Sequence, residues 1–134
     1  MQIHHGIDIL EKSRIISIYD RFGDRFLDKI LSSDEKKIFE NLKKKKTRML
    51  EFLAGSFSAK ESFAKALGSG MRNGLLFNNI QIMRKEFGQP YVKLSDKAKT
   101  LLKKKLKNYE NYDLSLSISH DRKNVISSVM ILFF

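Results

Sequence analysis

Two carboxylates, a lysine and a histidine are the residues here whose types and spacing can do chemistry. Glu61 lies four residues after Phe57 and four before Lys65, so the three share one face of a helix. The plainest reading of that spacing is an exposed Glu–Lys pair worth roughly a few tenths of a kcal/mol. Against it, Leu53, Phe57 and Ala64 flank the face and point to partial burial of Glu61. A buried carboxylate is costly unless a cation or hydrogen-bond donors compensate it. Asp8 stands between Ile7 and Ile9, either as a strand-end turn residue or as the second member of a two-carboxylate site. Such a pair suits a hard divalent cation, because Mg²⁺ takes few protein carboxylates and completes its octahedron with water and substrate phosphate. His120 stands where an alternating strand enters a turn, and Asp121, Arg122 and Lys123 make that turn polar and friendly to anions. Gly68-Ser69-Gly70 ends the Glu61 helix in a turn that a phosphate can approach closely. His4 and His5 have no partner at metal-ligand spacing, and no P-loop, dinucleotide glycine fingerprint or nucleophile elbow is present.

These residues need elements to position them. Ile3, His5, Ile7 and Ile9 alternate with His4, Gly6 and Asp8, a period of two that reads as a strand with Asp8 pointing away from the isoleucine face. Ser13 is a candidate N-cap for a helix carrying Ile15, Ile18, Tyr19 and Phe22. Arg14 and Arg21 fall on another side of it, and Arg25 extends them into a basic stripe if the helix runs through Gly23. Ser32 and Glu35 make a capping box before Ile38, Phe39 and Leu42. A long helix is predicted over 47–67, ended by Gly68. Beyond it come strand character over 76–84, a turn over 86–90 with the one proline, and a short return strand over 91–94. A helix capped by Ser95 follows, then a strand alternating Leu114, Leu116 and Ile118 with serines, then an apolar terminal strand interrupted by Ser127 and Ser128. The order defines an α+β chain, expected to form a single domain over residues 1–134.

Composition removes several function classes. The chain has 134 residues, 42% of them hydrophobic, which excludes wholesale disorder. The absence of cysteine excludes a disulfide scaffold, a cysteine-ligated zinc site and a cysteine nucleophile. Twenty-six Lys+Arg against 15 Asp+Glu leave a net charge of +11. Such a surface attracts anions: nucleic acid, an anionic membrane, or an acidic protein or phosphorylated ligand. The lysine runs 43–46 and 103–105 fall on helical patterns, and the aromatics do not interleave with them as a base-stacking surface requires. No run approaches the roughly 20 apolar residues that span a bilayer. The N-terminus lacks the build of a signal peptide, so the expectation is a soluble cytoplasmic protein without membrane insertion.

Gly6-Ile7-Asp8-Ile9 followed by Arg14 resembles the opening of the holo-acyl-carrier-protein synthases, the small phosphopantetheinyl transferases. The stretch 52–70, with its core Phe57-x-x-Lys60-Glu61-x-x-x-Lys65-Ala66 and then Gly68-x-Gly70, is similar to that family's central motif. Phe77, Gly88-Gln89-Pro90 and Ser117-Ile118-Ser119-His120 match in order and approximate spacing. The resemblance implies a mostly antiparallel sheet packed on the long helix. It also implies transfer of the 4′-phosphopantetheine arm of coenzyme A to a serine of an acidic apo acyl carrier protein, for fatty acid synthesis. Adenosine 3′,5′-bisphosphate is released, and Mg²⁺ is required. By position Asp8 and Glu61 match the metal ligands, Lys65 a lysine near the coenzyme A phosphates, and His120 a histidine close to the nucleotide. Gly68 and Ser69 fall beside Lys65 in the cofactor-binding stretch. Arg14, Arg21 and Arg25 match the helix on which the carrier docks. The resemblance further implies a homotrimer with active sites between protomers.

Two positions depart from the family pattern. Ser56 stands where an arginine is common, and Gln89 replaces the lysine of a Gly-Lys-Pro turn; each removes a positive charge near the expected nucleotide cleft. The incoming serine hydroxyl must lose a proton to an ordered water or a carboxylate, while His120 reads better as a phosphate contact. Two other functions compete: a basic nucleic-acid-binding module, resting on the charge, and a non-catalytic binder of coenzyme A or carrier protein, resting on Ser56 and Gln89.

Overall fold

The structure, a computed structural model, describes all of residues 1–134. Its elements run β1 (Gln2–Glu11), α1 (Lys12–Phe22), α2 (Asp24–Ile30), α3 (Ser33–Asn41), α4 (Lys46–Leu67), β2 (Ile80–Arg84), β3 (Pro90–Leu94), α5 (Asp96–Leu106), β4 (Tyr112–His120) and β5 (Asn124–Phe133). A 3₁₀ turn over Phe77–Asn79 leads into β2, which trims the strand expected from residue 76. Two antiparallel sheets form: β1-β5-β4 and the hairpin β2-β3.

Helix α4 is the axle. Fourteen of its residues are buried, from Met49 to Leu67, so it has no broad solvent face. On one side Ala59, Phe63 and Leu67 pack with Ile80, Ile82, Leu102, Val129 and Ile131. On the other, Phe52 and Leu53 pack with Ile15, Leu27, Ile30 and Phe39 from the N-terminal helices. The α+β architecture follows because both sheets and the N-terminal helices bury apolar side chains in the two cores on either side of this rod.

The N-terminal helices differ from the sequence reading in two ways. Gly23 (φ 53°, ψ −129°) breaks the helix, so Arg25 lies on α2 rather than in line with Arg14 and Arg21 on α1. A positive φ is what glycine supplies cheaply at such a corner. Ser13 is not the N-cap: β1 runs straight into α1, and the Lys12 N–H donates instead to the Lys123 carbonyl at 2.7 Å. The capping box at Ser32 and Glu35 forms as read. Lys43–Lys45 lie in the turn before α4, off the helices, whereas Lys103–Lys105 are on α5.

The period of two in β1 is present, but its two faces have the opposite environments to those apolarity suggests. His4, Gly6, Asp8 and Leu10 face α4, while Ile3, Ile7 and Ile9 are 60%, 49% and 65% exposed. Ile126 and Met130 of β5 continue that open apolar face. Gly6 explains the choice: a Cβ there would fall 2.0 Å from the Ser62 carbonyl oxygen and 2.5 Å from the Ala66 nitrogen. Only a glycine lets strand and helix approach this closely. Gly6→Ala is therefore expected to cost about 1–3 kcal/mol or more, since rigid backbone must yield. An unchanged urea midpoint would refute this packing account.

Candidate active site

Asp8 enters from β1 and Glu61 and Lys65 from α4, across the seam that Gly6 permits. Lys65 Nζ donates to Asp8 Oδ1 at 3.1 Å and to the Ile7 carbonyl at 3.0 Å. Asp8 Oδ2 is buried and has no hydrogen-bond partner. The Glu61 carboxyl is pushed above its ordinary pKa of 4.5, first by burial and then by the charge of Asp8, with Lys65 pulling the other way. Two carboxylates thus share one partly desolvated spot with a single, half-exposed ammonium. An orphaned carboxylate oxygen beside a second carboxylate that resists ionising is a donor set that fits a divalent cation. No third His, Asp or Glu joins them, which matches a hard cation completing its shell with water and phosphate oxygens.

The raised Glu61 pKa has a sign that can be checked. Its contribution to stability is fully present below the unfolded value and is lost as pH rises through the folded one. Without metal, Glu61→Gln should therefore melt higher than the parent at neutral pH, with the gap closing as pH falls through 4.5. A lower melting temperature at pH 7 in chelator would contradict the crowded-carboxylate account.

His120 belongs to a second cluster. Its Nδ1 lies 3.5 Å from Glu51 Oε1, which also accepts from Lys12 Nζ at 3.2 Å. Beside them is a cleft of about 610 Å³, lined in part by Lys12, Thr47, Glu51, Arg122 and Lys123. Asp121 holds the hairpin that presents those cations: its Oδ1 accepts from the Asn124 and Lys123 N–H groups at 2.6 and 2.8 Å. These same bonds keep its carboxyl below the usual 3.8. Glu51 precedes Glu61 by ten residues, about 15 Å along α4.

Gly68 caps α4 in a left-handed conformation, and the N–H groups of Gly68 and Gly70 both bond the Ala64 carbonyl. Ser69 Oγ donates to the Gly70 carbonyl. This turn offers an approaching phosphate space rather than free donors from Gly68 and Gly70. Ser56 is buried in α4, and Gln89 is exposed at the β2-β3 turn. Arg14, Arg21 and Arg25 are all exposed. Arg25 edges an apolar groove with Ile18, Phe22, Phe26, Phe57 and Phe77, and Arg21 lies over the Phe22 ring at 5.1 Å.

Sequence reasoning missed two groups of residues. Lys60 and Glu35 form an ion pair of 2.7 Å at 0% exposure. Ser58, Ser62 and Ser127 form a buried hydroxyl cluster against the Asp8 strand. A signal existed for Ser127: it occupies the inward register of β5 with Val125, Val129, Ile131 and Phe133.

A family profile described as the 4′-phosphopantetheinyl transferase superfamily matches residues 5–117, and the chain belongs to that superfamily. Its relatives narrow the likeness. The holo-[acyl-carrier-protein] synthase of Campylobacter hominis is 43% identical over 126 residues, covering 94% of each chain. The crystal structure of the Neisseria meningitidis holo-[acyl-carrier-protein] synthase superposes with a TM-score of 0.83 at 31% identity, covering 96% of this chain and 97% of that one. The Helicobacter pylori enzyme in complex with coenzyme A gives 0.77 at 30% identity, covering 96% and 99%. The α+β fold expected from the resemblance is thus the fold observed.

Proposed function

We propose that residues 1–134 act as one domain that transfers the 4′-phosphopantetheine arm of coenzyme A to a serine of an apo acyl carrier protein. The observation that carries the reading is the crowded pair of Asp8 and Glu61 beside Lys65, with Asp8 Oδ2 left without a partner. It stands in a chain whose relatives are named holo-[acyl-carrier-protein] synthases. In the reaction the carrier's serine oxygen forms a bond to the phosphorus bearing the pantetheine arm. The bond from that phosphorus to adenosine 3′,5′-bisphosphate breaks, and the hydroxyl proton leaves to solvent.

Asp8 and Glu61 are the residues that would hold Mg²⁺, which when bound stabilises charge developing on the pyrophosphate. Lys65 sets a second positive centre one helical turn from Glu61. Phosphoryl transfer asks a protein mainly for such positioning and charge. The cleft beside His120, with Lys12, Arg122 and Lys123, suits the nucleotide phosphate and offers cations in place of those missing at Ser56 and Gln89. Gly68 and Ser69 leave room beside the pyrophosphate.

The open apolar face of β1 and β5 supports assembly as a homotrimer, because exposed patches of this kind mark contact surfaces. The distance along α4 between the Glu51–His120 cluster and Glu61 supports a site completed between protomers. No helix is long and apolar enough to cross a membrane, and we place the enzyme in the cytoplasm. Arg14, Arg21 and Arg25 present exposed positive charge to an acidic carrier, which speeds docking. Arg14→Glu should raise KM for the carrier about tenfold while leaving that for coenzyme A unchanged. Equal losses for both substrates would remove the docking role.

The deciding experiment incubates the protein with apo acyl carrier protein, coenzyme A and Mg²⁺ and reads the carrier's intact mass. A gain of one phosphopantetheine unit, abolished by chelator, is expected. No gain with several confirmed apo carriers would leave a protein that binds without transferring.

A further inference from the structure

Against the Asp8 strand, three serines meet inside the protein. Ser58 and Ser62 are one turn apart on α4, and Ser127 is the residue of β5 that pairs with Asp8 in the sheet. All three are buried, at 0%, 0% and 1% exposure. Ser127 Oγ lies 2.7 Å from Ser58 Oγ and 2.5 Å from Ser62 Oγ. Ser62 Oγ also reaches the Ser127 carbonyl at 3.1 Å, and Ser58 Oγ donates to the Asp8 carbonyl at 3.4 Å. The donors can run in one direction, from Ser62 to Ser127 to Ser58 to the Asp8 main chain, which leaves no hydroxyl hydrogen unused.

Close approach alone does not require these hydroxyls. Alanine is small enough for the seam, and Ala59 and Ala66 occupy buried places on the same helix. What apolar contacts lack is direction: a smooth interface slides, whereas hydrogen bonds of fixed length hold one position along the helix axis. The Asp8 strand and the Glu61 helix are the two bodies joined here, and Glu61 is the immediate neighbour of Ser62. An octahedral Mg²⁺ accepts its oxygens only within a narrow distance near 2.1 Å. A small slip of β1 along α4 would therefore open the carboxylate pair beyond what the ion tolerates.

We propose that Ser58, Ser62 and Ser127 are positioning residues for the divalent-cation site, fixing the register of the Asp8 strand against the Glu61 helix. The proposal rests on the reading of Asp8 and Glu61 as the metal pair, and its test keeps the two apart. Mg²⁺ is titrated by calorimetry into the protein saturated with coenzyme A, with no carrier present, so binding is read without turnover. Four variants are compared: Ser127→Ala, Ser58→Ala, the triple change of all three serines to alanine, and Asp8→Ala as the reference. Ser127→Ala takes one partner from each of two buried hydroxyls, which keep only the carbonyls of residue 127 and Asp8, and should melt lower; the triple variant leaves no such hydroxyl and should melt near the parent. Both should bind Mg²⁺ about tenfold more weakly, the usual effect of losing outer-shell partners. Ser58→Ala, which cuts the link to the Asp8 carbonyl and the bond to the Ser127 hydroxyl but leaves Ser62 and Ser127 paired, should weaken binding severalfold. KM for the carrier should not move. Parent-like Mg²⁺ affinity in the triple variant and in Ser58→Ala would overturn the proposal and leave the serines a purely structural role. If Asp8→Ala binds Mg²⁺ as the parent does, the metal pair itself fails.

Discussion

Asp8→Ala and Glu61→Ala should each lower transfer of the phosphopantetheine arm by about a thousandfold, because each removes an anchor for charge stabilisation worth several kcal/mol. The fold should survive both changes. Asp8 gives up one bond to a half-exposed lysine together with a buried oxygen that had no partner at all. Glu61 gives up a carboxylate whose ionisation the site opposes. Loss of turnover without loss of melting temperature therefore separates these residues from structural ones. Near-parent rates in both variants, read by carrier mass at saturating coenzyme A, would dismantle the metal-site assignment.

Lys60→Met should have its effect on stability instead, costing about 3–5 kcal/mol. The neighbouring positions 60 and 61 point to different worlds. Lys60 Nζ is fully buried between Glu35 Oε1 at 2.7 Å and the Ile30 carbonyl at 2.5 Å. Burial pulls its pKa down from the ordinary 10.5, and Glu35 opposes that pull. Glu35 in turn accepts from the Ser32 N–H and from the Ile82 N–H, so its carboxylate ties α3, α4 and β2 together, and Lys60 adds α2 through the Ile30 carbonyl. Removing the ammonium strands that carboxylate in the interior. Glu35→Gln keeps only one of the two acceptor oxygens, turns its amide N–H₂ toward the remaining donor and leaves the buried ammonium unpaired, so it should cost about as much as Lys60→Met. Equal urea midpoints for Lys60→Met and the parent would show that the pair contributes nothing.

Much of this was readable in the residues, and what was not has identifiable causes. Period-two and helical spacings placed β1, α3, α4, α5 and the two last strands, because side-chain periodicity reports local geometry directly. The same periodicity could not say which face of β1 turns inward. Apolarity pointed to the isoleucines, yet the deciding residue was Gly6, whose lack of a side chain matters only once α4 is known to lie against it. Gly23 was visible as a possible break, but a helix can run through a glycine, and only its φ of 53° decides. The Asp8–Lys65 contact spans 57 positions, and the Lys60–Glu35 pair 25. Spacing within one element carries no information about such meetings, whereas a motif shared with relatives does, which is why the family resemblance reached Asp8 and Glu61 together. It singled out Lys65 and gave Lys60 no role, so the buried tether to Glu35 was missed.

The place of β5 has a consequence for how the protein is made. It is the central strand of its sheet, yet it follows every other element in the chain. Until it leaves the ribosome, β1 and β4 have no partner edge and Asp8 has no Ser127 opposite it. The helices can pack while translation continues, since domains form as their residues emerge, but the seam that brings strand and helix carboxylates together cannot close. A nascent chain arrested before residue 124 should carry α4 without a competent site, so catalytic capacity appears all at once, when β5 pairs with β1 and β4, rather than growing with chain length.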